Sequence, residues 1–135
     1  MRSRGLKMKI LIADENPATL EFFSRLLEDR GFVSITAASG EEVLQSLRQH
    51  PVSAILLGDL MKPPIDGLDL IRRLRPYHAP VVVATCYGAD YVMLAKMAGA
   101  EIVIHKFADP TYLITTIEET IRRRQHLTPD SDLLG

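Results

Sequence analysis

Only one cysteine, Cys86, occurs in the 135 residues, which excludes an internal disulfide framework. It is expected to be a small buried side chain, the commoner role of a lone cysteine, rather than a redox sensor. No apolar run approaches the roughly 20 residues that a helix needs to cross a bilayer. The apolar stretch from Met8 to Ala13 behind the basic start is too short for a signal-peptide core and suits a strand. An excess of positive charge is lacking too. Lys and Arg number 16 against 17 Asp and Glu, a formal net charge of -1, whereas a nucleic-acid-binding surface is basic. The short run Arg122-Arg123-Arg124 closes a helical pattern, where cations complement the helix dipole. His50, His78, His105 and His126 lack metal-ligand spacing. No glycine-rich phosphate loop follows a strand. The segment after the first apolar run is the acidic Asp14-Glu15, which repels phosphate and argues against a flavin or nucleotide cradle. The expectation is one cytoplasmic domain with no membrane contact and no direct nucleic-acid binding.

What the chain does have is alternation. Short apolar runs at Lys9–Ala13, Phe32–Ile35, Ala54–Leu57, Val81–Ala84 and Ile102–Ile104 are separated by segments of helical period. Leu20, Phe23 and Leu27 mark the first helix, stopped by Gly31. Ser39 and Glu42 form a capping-box pattern before Val43, Leu44 and Leu47. A short helix over 68–74 ends before Pro76. A fourth covers 90–98 and closes at Gly99. The last carries Leu113, Ile114, Ile117 and Ile121 at helical spacing. Strands that are apolar almost throughout are covered on both faces. The reading is therefore a three-layer, doubly wound α/β domain with a five-stranded parallel sheet. The domain spans 8–124, and 125–135 is a tail or the start of a linker. Periodicity alone does not give the strand order.

Acidic residues cluster at strand ends. Asp14 and Glu15 follow the first strand, and Asp59 follows the third after Gly58. Ligands of open parallel sheets bind outside the carboxyl ends of the strands. If the first and third strands are neighbours, three carboxylates meet in one pocket and require a cation, and all-oxygen ligands suit Mg²⁺. The plainer reading is that these are solvated loop acids, with Asn16-Pro17 starting a helix locally. Thr85 ends the fourth strand and Lys106 the fifth. They add a hydroxyl and an ammonium to the same rim, a set suited to phosphoryl transfer onto an aspartate. Asp59 is the expected nucleophile because its strand places it deepest. Thr85 also has a plain reading as a strand former, and Lys106 as a snorkelling side chain or a partner of Asp109.

The residues Ile10-Leu11-Ile12-Ala13-Asp14-Glu15-Asn16-Pro17 resemble the opening of response-regulator receiver domains. Asp59-Leu60-Met61-Lys62-Pro63-Pro64-Ile65-Asp66-Gly67 resembles that family's phosphorylation loop. Pro80–Thr85 resembles its fourth strand, and Gly99-Ala100 followed by Lys106 resembles the approach to its lysine. The resemblance covers roughly residues 8–124. It implies strand order 2-1-3-4-5, with Asp59 as phospho-acceptor, Thr85 as switch hydroxyl and Lys106 as the lysine. It further implies Mg²⁺, with Mn²⁺ able to substitute, held by Asp14, Glu15, Asp59 and the Met61 backbone carbonyl. Glu15 would be the direct ligand and Asp14 would act mainly through water. The implied phosphodonor is a sensor histidine kinase or phosphotransfer protein. The implied output is an effector domain, a partner or a homodimer, engaged through the face of the fourth helix, fifth strand and fifth helix. The family also hydrolyses its own acylphosphate.

The chain departs from the family's pattern. Glu15 stands where Asp is usual, and Cys86 follows Thr85 where Ala or Gly is usual. Val103 replaces the switch aromatic, Phe107 replaces the proline after the lysine, and the interval from Thr85 to Lys106 is one residue short. Without that proline a cis bond after Lys106 costs about 2.5–4 kcal/mol, so a trans Lys106-Phe107 bond is expected, with the flexible lysine still reaching Asp59. The departures leave an alternative function open: a pseudo-receiver that acts as a protein-interaction module without phosphorylation.

Overall fold

The alternation is realised as five strands and five helices in a computed structural model that describes residues 7–126. In chain order these are β1 (Lys9–Ala13), α1 (Pro17–Asp29), β2 (Val33–Ala37), α2 (Gly40–Gln49) and β3 (Ala54–Leu57). Then come α3 (Gly67–Arg73), a 3₁₀ turn (Arg75–Tyr77), β4 (Val81–Thr85), α4 (Ala89–Ala98), β5 (Ile102–His105) and α5 (Pro110–His126). The strands form one parallel sheet in the order 2-1-3-4-5. α5 continues two residues into the segment expected to be tail, and the remainder of that tail lies outside the described residues.

Side chains of a strand alternate between its faces, and the two sets here feed two separate cores. Leu11, Ile55, Leu57, Val81 and Val83 pack with Val43 of α2, Leu70 and Ile71 of α3 and Ala95 of α4. Ile10, Ile12, Leu56, Val82 and Ala84 pack with Phe23 and Leu27 of α1 and Ile114 and Ile117 of α5. β3 and β4 are buried along their whole length. The edge strand β2 is not, and its weaker apolar pattern hid its bounds. It begins at Val33 because Phe32 belongs to the end of α1. Gly31 adopts φ +92, its N–H reaches Glu28 O, and the Phe32 N–H reaches Leu27 O. That is a Schellman closure, which favours glycine at the left-handed position.

Local caps set the helix starts. Asn16 Oδ1 accepts the Ala18 N–H at 2.8 Å, with Pro17 at the first helical position. Ser39 Oγ accepts the Glu42 N–H at 3.2 Å, and the Glu42 carboxylate returns to the Ala38 N–H at 2.8 Å. The reciprocal bond falls one residue earlier than a standard capping box places it. Asp66 Oδ1 accepts the Asp69 N–H to start α3. Pro76, expected to follow the end of α3, lies inside the 3₁₀ turn.

The strand order has one consequence for function. From β1 the chain crosses outward to β2, then returns past β1 to β3. The loops after β1 and β3 therefore diverge, and a crevice opens between them at the carboxyl edge of the sheet. Asp14 and Asp59 stand on its two sides.

Candidate functional site

β1 and β3 run in register with Ala13 opposite Leu57, and the Gly58 N–H donates to Ala13 O at 2.7 Å. This pairing brings the two acids together. Asp14 is 1% exposed. Its Oδ1 accepts the Asn16 N–H at 2.8 Å, and its Oδ2 accepts the Asp59 N–H at 3.1 Å. Gly58 permits the approach, since a Cβ at that position would stand 2.0 Å from Asp14 Oδ2.

Asp59 lies nearer the surface, with 15% of its side chain exposed against 2% for Asp14. The expectation that Asp59 is the deepest acid is thus corrected. β1 and β3 are both interior, and Asp14 is the better covered because the Asn16 and Asp59 N–H groups and the Lys106 ammonium close over its carboxylate.

The other two residues arrive from β4 and β5. Thr85 lies opposite His105, and the Lys106 N–H donates to Thr85 O at 3.0 Å, fixing the two strand ends together. The Thr85 hydroxyl donates to Asp59 Oδ1 at 2.7 Å and accepts the Tyr87 N–H at 3.1 Å. Lys106 Nζ is 2.6 Å from Asp14 Oδ2 and 3.1 Å from Asp59 Oδ2. Asp109 instead accepts the Thr111 N–H. Burial alone would lower the Lys106 pKa, but hydrogen bonds and charge from Asp14 and Asp59 raise it above the ordinary lysine value. The Lys106-Phe107 peptide is trans, Pro63-Pro64 being the one cis bond among the described residues. The Phe107 N–H folds back to His105 Nδ1 at 3.1 Å, and the long lysine stem spans the remaining distance.

Glu15 does not converge with the other two acids. Its Oε2 accepts the N–H groups of Met61 and Lys62, at 2.7 Å each. Among the described residues, no three His, Cys, Asp or Glu side chains stand together as a metal-holding group. The donor chemistry still fits a hard cation. Asp14, Glu15 and Asp59 offer only oxygen, and Asp14 and Asp59 together outnumber the one ammonium that faces them, an excess of negative charge that suits a hard cation.

One residue beside the site escapes the sequence reading, and the burial of another is corrected. Tyr91 of α4 has its hydroxyl buried without a hydrogen-bond partner, where a methyl on Gly67 would stand 2.9 Å from it. Burial first, then the charges of Asp59 and Asp66 and the nearby Tyr87, push its pKa up to about 12. Nothing in its spacing distinguishes it from a core aromatic. Cys86, expected to be buried, is exposed at the mouth of the pocket, and its N–H points at Asp59 Oδ2 from 3.5 Å. β4 ends at Thr85, so Cys86 already lies in loop, beyond the cover of the sheet.

Within the basic run at the end of α5, two of the three arginines have partners among the described residues. Arg124 bonds His78 O and Glu101, both at 2.7 Å, and Arg123 lies 3.8 Å from Glu119. None of the helices described here is long and apolar enough to cross a membrane.

Comparison with known proteins bears on the family and the fold. The chain is 34% identical over 116 residues to the response regulator GtcR of Aneurinibacillus migulanus, covering 84% of this chain and 48% of that protein. It is 29% identical to the sensory/regulatory protein RpfC of Xanthomonas campestris, covering 95% of this chain and 19% of that protein. The chain thus spans about half or less of these relatives. Among solved structures, a response regulator of Chloroflexus aurantiacus superposes with a TM-score of 0.81 at 26% identity, covering 87% of this chain and all of that one. A CheY-like receiver domain from Methanospirillum hungatei shares the fold, with a TM-score of 0.82 at 24% identity, covering 91% of this chain and 100% of that one. The family described as the response regulator receiver domain matches residues 10–118, and the chain belongs to that family.

Proposed function

We propose that this domain accepts a phosphoryl group on Asp59 from the phosphohistidine of a sensor kinase or phosphotransfer protein. The observation that carries this reading is the pairing of the two Asp59 oxygens. Oδ1 receives the Thr85 hydroxyl and Oδ2 the Lys106 ammonium, so both donors already stand where charge develops on a transferring group. In the transfer, one Asp59 oxygen forms the new O–P bond as the N–P bond to the donor imidazole breaks, and the electron pair leaves with that nitrogen. Lys106 then balances charge on the phosphoryl oxygens, and Thr85 turns its hydroxyl from the carboxylate to one of them. Asp14 holds the Asp59 backbone by accepting its N–H. Mg²⁺, with Mn²⁺ as substitute, would be held by Asp14, Glu15, Asp59 and the Met61 carbonyl, and would supply charge neutralisation at the phosphoryl oxygens. Water attack on the acylphosphate would return the domain to its resting state.

The signal would leave through the face of α4, β5 and α5. Met97 of α4, Phe107 after β5 and Tyr112 of α5 are exposed on these elements at 70%, 77% and 54%, which leaves apolar side chains of each available to a partner. The occupant would be an effector domain, a partner protein or a second copy. The receiver unit is assigned to 8–124, in the cytoplasm, with no direct nucleic-acid contact of its own.

A pseudo-receiver reading has one observation in its favour, the engagement of Glu15 by the Met61 and Lys62 amides. Intact mass after incubation with acetyl phosphate and Mg²⁺ separates the two readings. Wild type is expected to gain the mass of one phosphoryl group and Asp59→Asn to gain none. A wild type that gains nothing would establish the pseudo-receiver, and equal gain by both proteins would move the acceptor elsewhere.

A further inference from the structure

Both amides that Glu15 receives converge on a single carboxylate oxygen, at 2.7 Å each. This ties the loop after β1 to the loop after β3. The second amide, the Lys62 N–H, belongs to the same peptide unit as the Met61 carbonyl. That bond is not among the cis peptides, and in a trans peptide the N–H and C=O point in opposite directions. While the Lys62 N–H faces Glu15, the Met61 carbonyl faces away from it. One cation therefore cannot be held by Glu15 and by the Met61 carbonyl in this loop conformation.

We infer that Glu15 has two mutually exclusive engagements, a clamp on the Met61 and Lys62 amides and a ligand position on the cation, so that cation binding releases the loop after β3. The inference rests on the cation site of the proposed function and concerns how that site is regulated. The added methylene of Glu15 relative to aspartate gives the carboxylate its reach to the loop. Two charge-assisted hydrogen bonds from backbone N–H groups hold the clamped state, and a cation must displace them before Glu15 is available. The loop that is freed carries Lys62 and the Pro63-Pro64 pair, and it borders a cleft with Ser39, Glu41 and Leu60. Release of the clamp would therefore reshape the surface beside Asp59 before any phosphoryl group arrives.

Backbone amide resonances and hydrogen exchange of the full chain, followed during Mg²⁺ titration, test this without reference to activity. Without metal, the Met61 and Lys62 amides are expected to be protected in wild type and to exchange roughly 10-fold faster in Glu15→Asp, whose shorter side chain cannot hold the loop. Saturating Mg²⁺ is expected to abolish wild-type protection at both amides, and Glu15→Asp is expected to bind Mg²⁺ about 10-fold tighter because no clamp competes. Protection that persists under saturating Mg²⁺ would overturn the exchange. So would equal Mg²⁺ affinity in the two proteins, or absence of Mg²⁺ binding in both. The phosphorylation reading is judged separately by the mass gain at Asp59. A labelled Asp59 with an undisturbed clamp rejects the exchange alone.

Discussion

Lys106 lies closer to Asp14 than to Asp59, 2.6 Å against 3.1 Å. Its shortest contact is with the more deeply buried carboxylate, so the lysine secures the fold as well as serving the surface acid. Removing one partner of a buried pair leaves the other uncompensated, at a cost of about 3–5 kcal/mol.

Lys106→Met is accordingly expected to lower stability by about 3 kcal/mol at neutral pH, measured by urea unfolding. The pH dependence derives from the raised Lys106 pKa. A lysine whose folded pKa exceeds its unfolded value of about 10.4 contributes fully below that value. The contribution is lost as pH rises through the folded pKa. The stability gap between wild type and Lys106→Met should therefore hold steady to about pH 10 and close above it. A constant gap at alkaline pH would contradict the ion pair.

Thr85→Ala removes the hydroxyl from Asp59 Oδ1 and leaves the Tyr87 N–H without its acceptor. Labelling by acetyl phosphate is expected to slow on the order of 100-fold, the usual effect of deleting a donor to a developing oxyanion. Thr85→Ser, which keeps the donor, should stay near the wild-type rate. A serine variant as slow as alanine would assign Thr85 to packing.

Ultraviolet titration should find one tyrosine ionising near pH 12, and Tyr91→Phe should abolish that phase. An acid with a raised folded pKa costs stability as pH climbs from its unfolded value, about 10, toward its folded one. Tyr91→Phe should remove this alkaline loss. At neutral pH the change should stabilise the protein by about 1 kcal/mol, because the deleted hydroxyl is buried and unpaired.

Gly58→Ala would place a methyl 2.0 Å from Asp14 Oδ2. Asp14 must then leave Lys106 or the two strand ends must part. Either route is expected to cost about 3 kcal/mol in thermal or urea unfolding, the upper range for overpacking. A loss below 1 kcal/mol would mean that the strand ends yield more readily than their register suggests.

How far the sequence reveals this molecule depends on where each residue gets its position. β3 and β4 can be read from the runs Ala54–Leu57 and Val81–Ala84 because burial on both faces leaves them wholly apolar. β2 is harder, since an edge strand keeps polar residues and Phe32 spends its N–H on the helix before it. The order of the strands has no signature in periodicity and came from the family resemblance. At the site, Asp14, Asp59, Thr85 and Lys106 meet because strand ends in a parallel sheet must meet, and strand ends can be read. The direction of Glu15 depends on which way one peptide of a loop faces, and no spacing rule encodes that. Tyr91 is hidden in a helix that carries apolar residues on all sides, including the exposed Met93, Leu94 and Met97.

Lys106 joins Asp59 across 47 residues of chain, and it comes from the last strand to be made. Until β5 pairs with β4, Asp14 and Asp59 repel each other with no ammonium between them. The last βα unit of the sheet therefore supplies the counterion of the acids that end β1 and β3. During synthesis, the emerging sheet would carry an acidic gap until its last βα unit supplied the ammonium. Divided between α4 and β5, the chain would yield two pieces drawn together by charge as well as by apolar burial, and added salt would weaken their reunion.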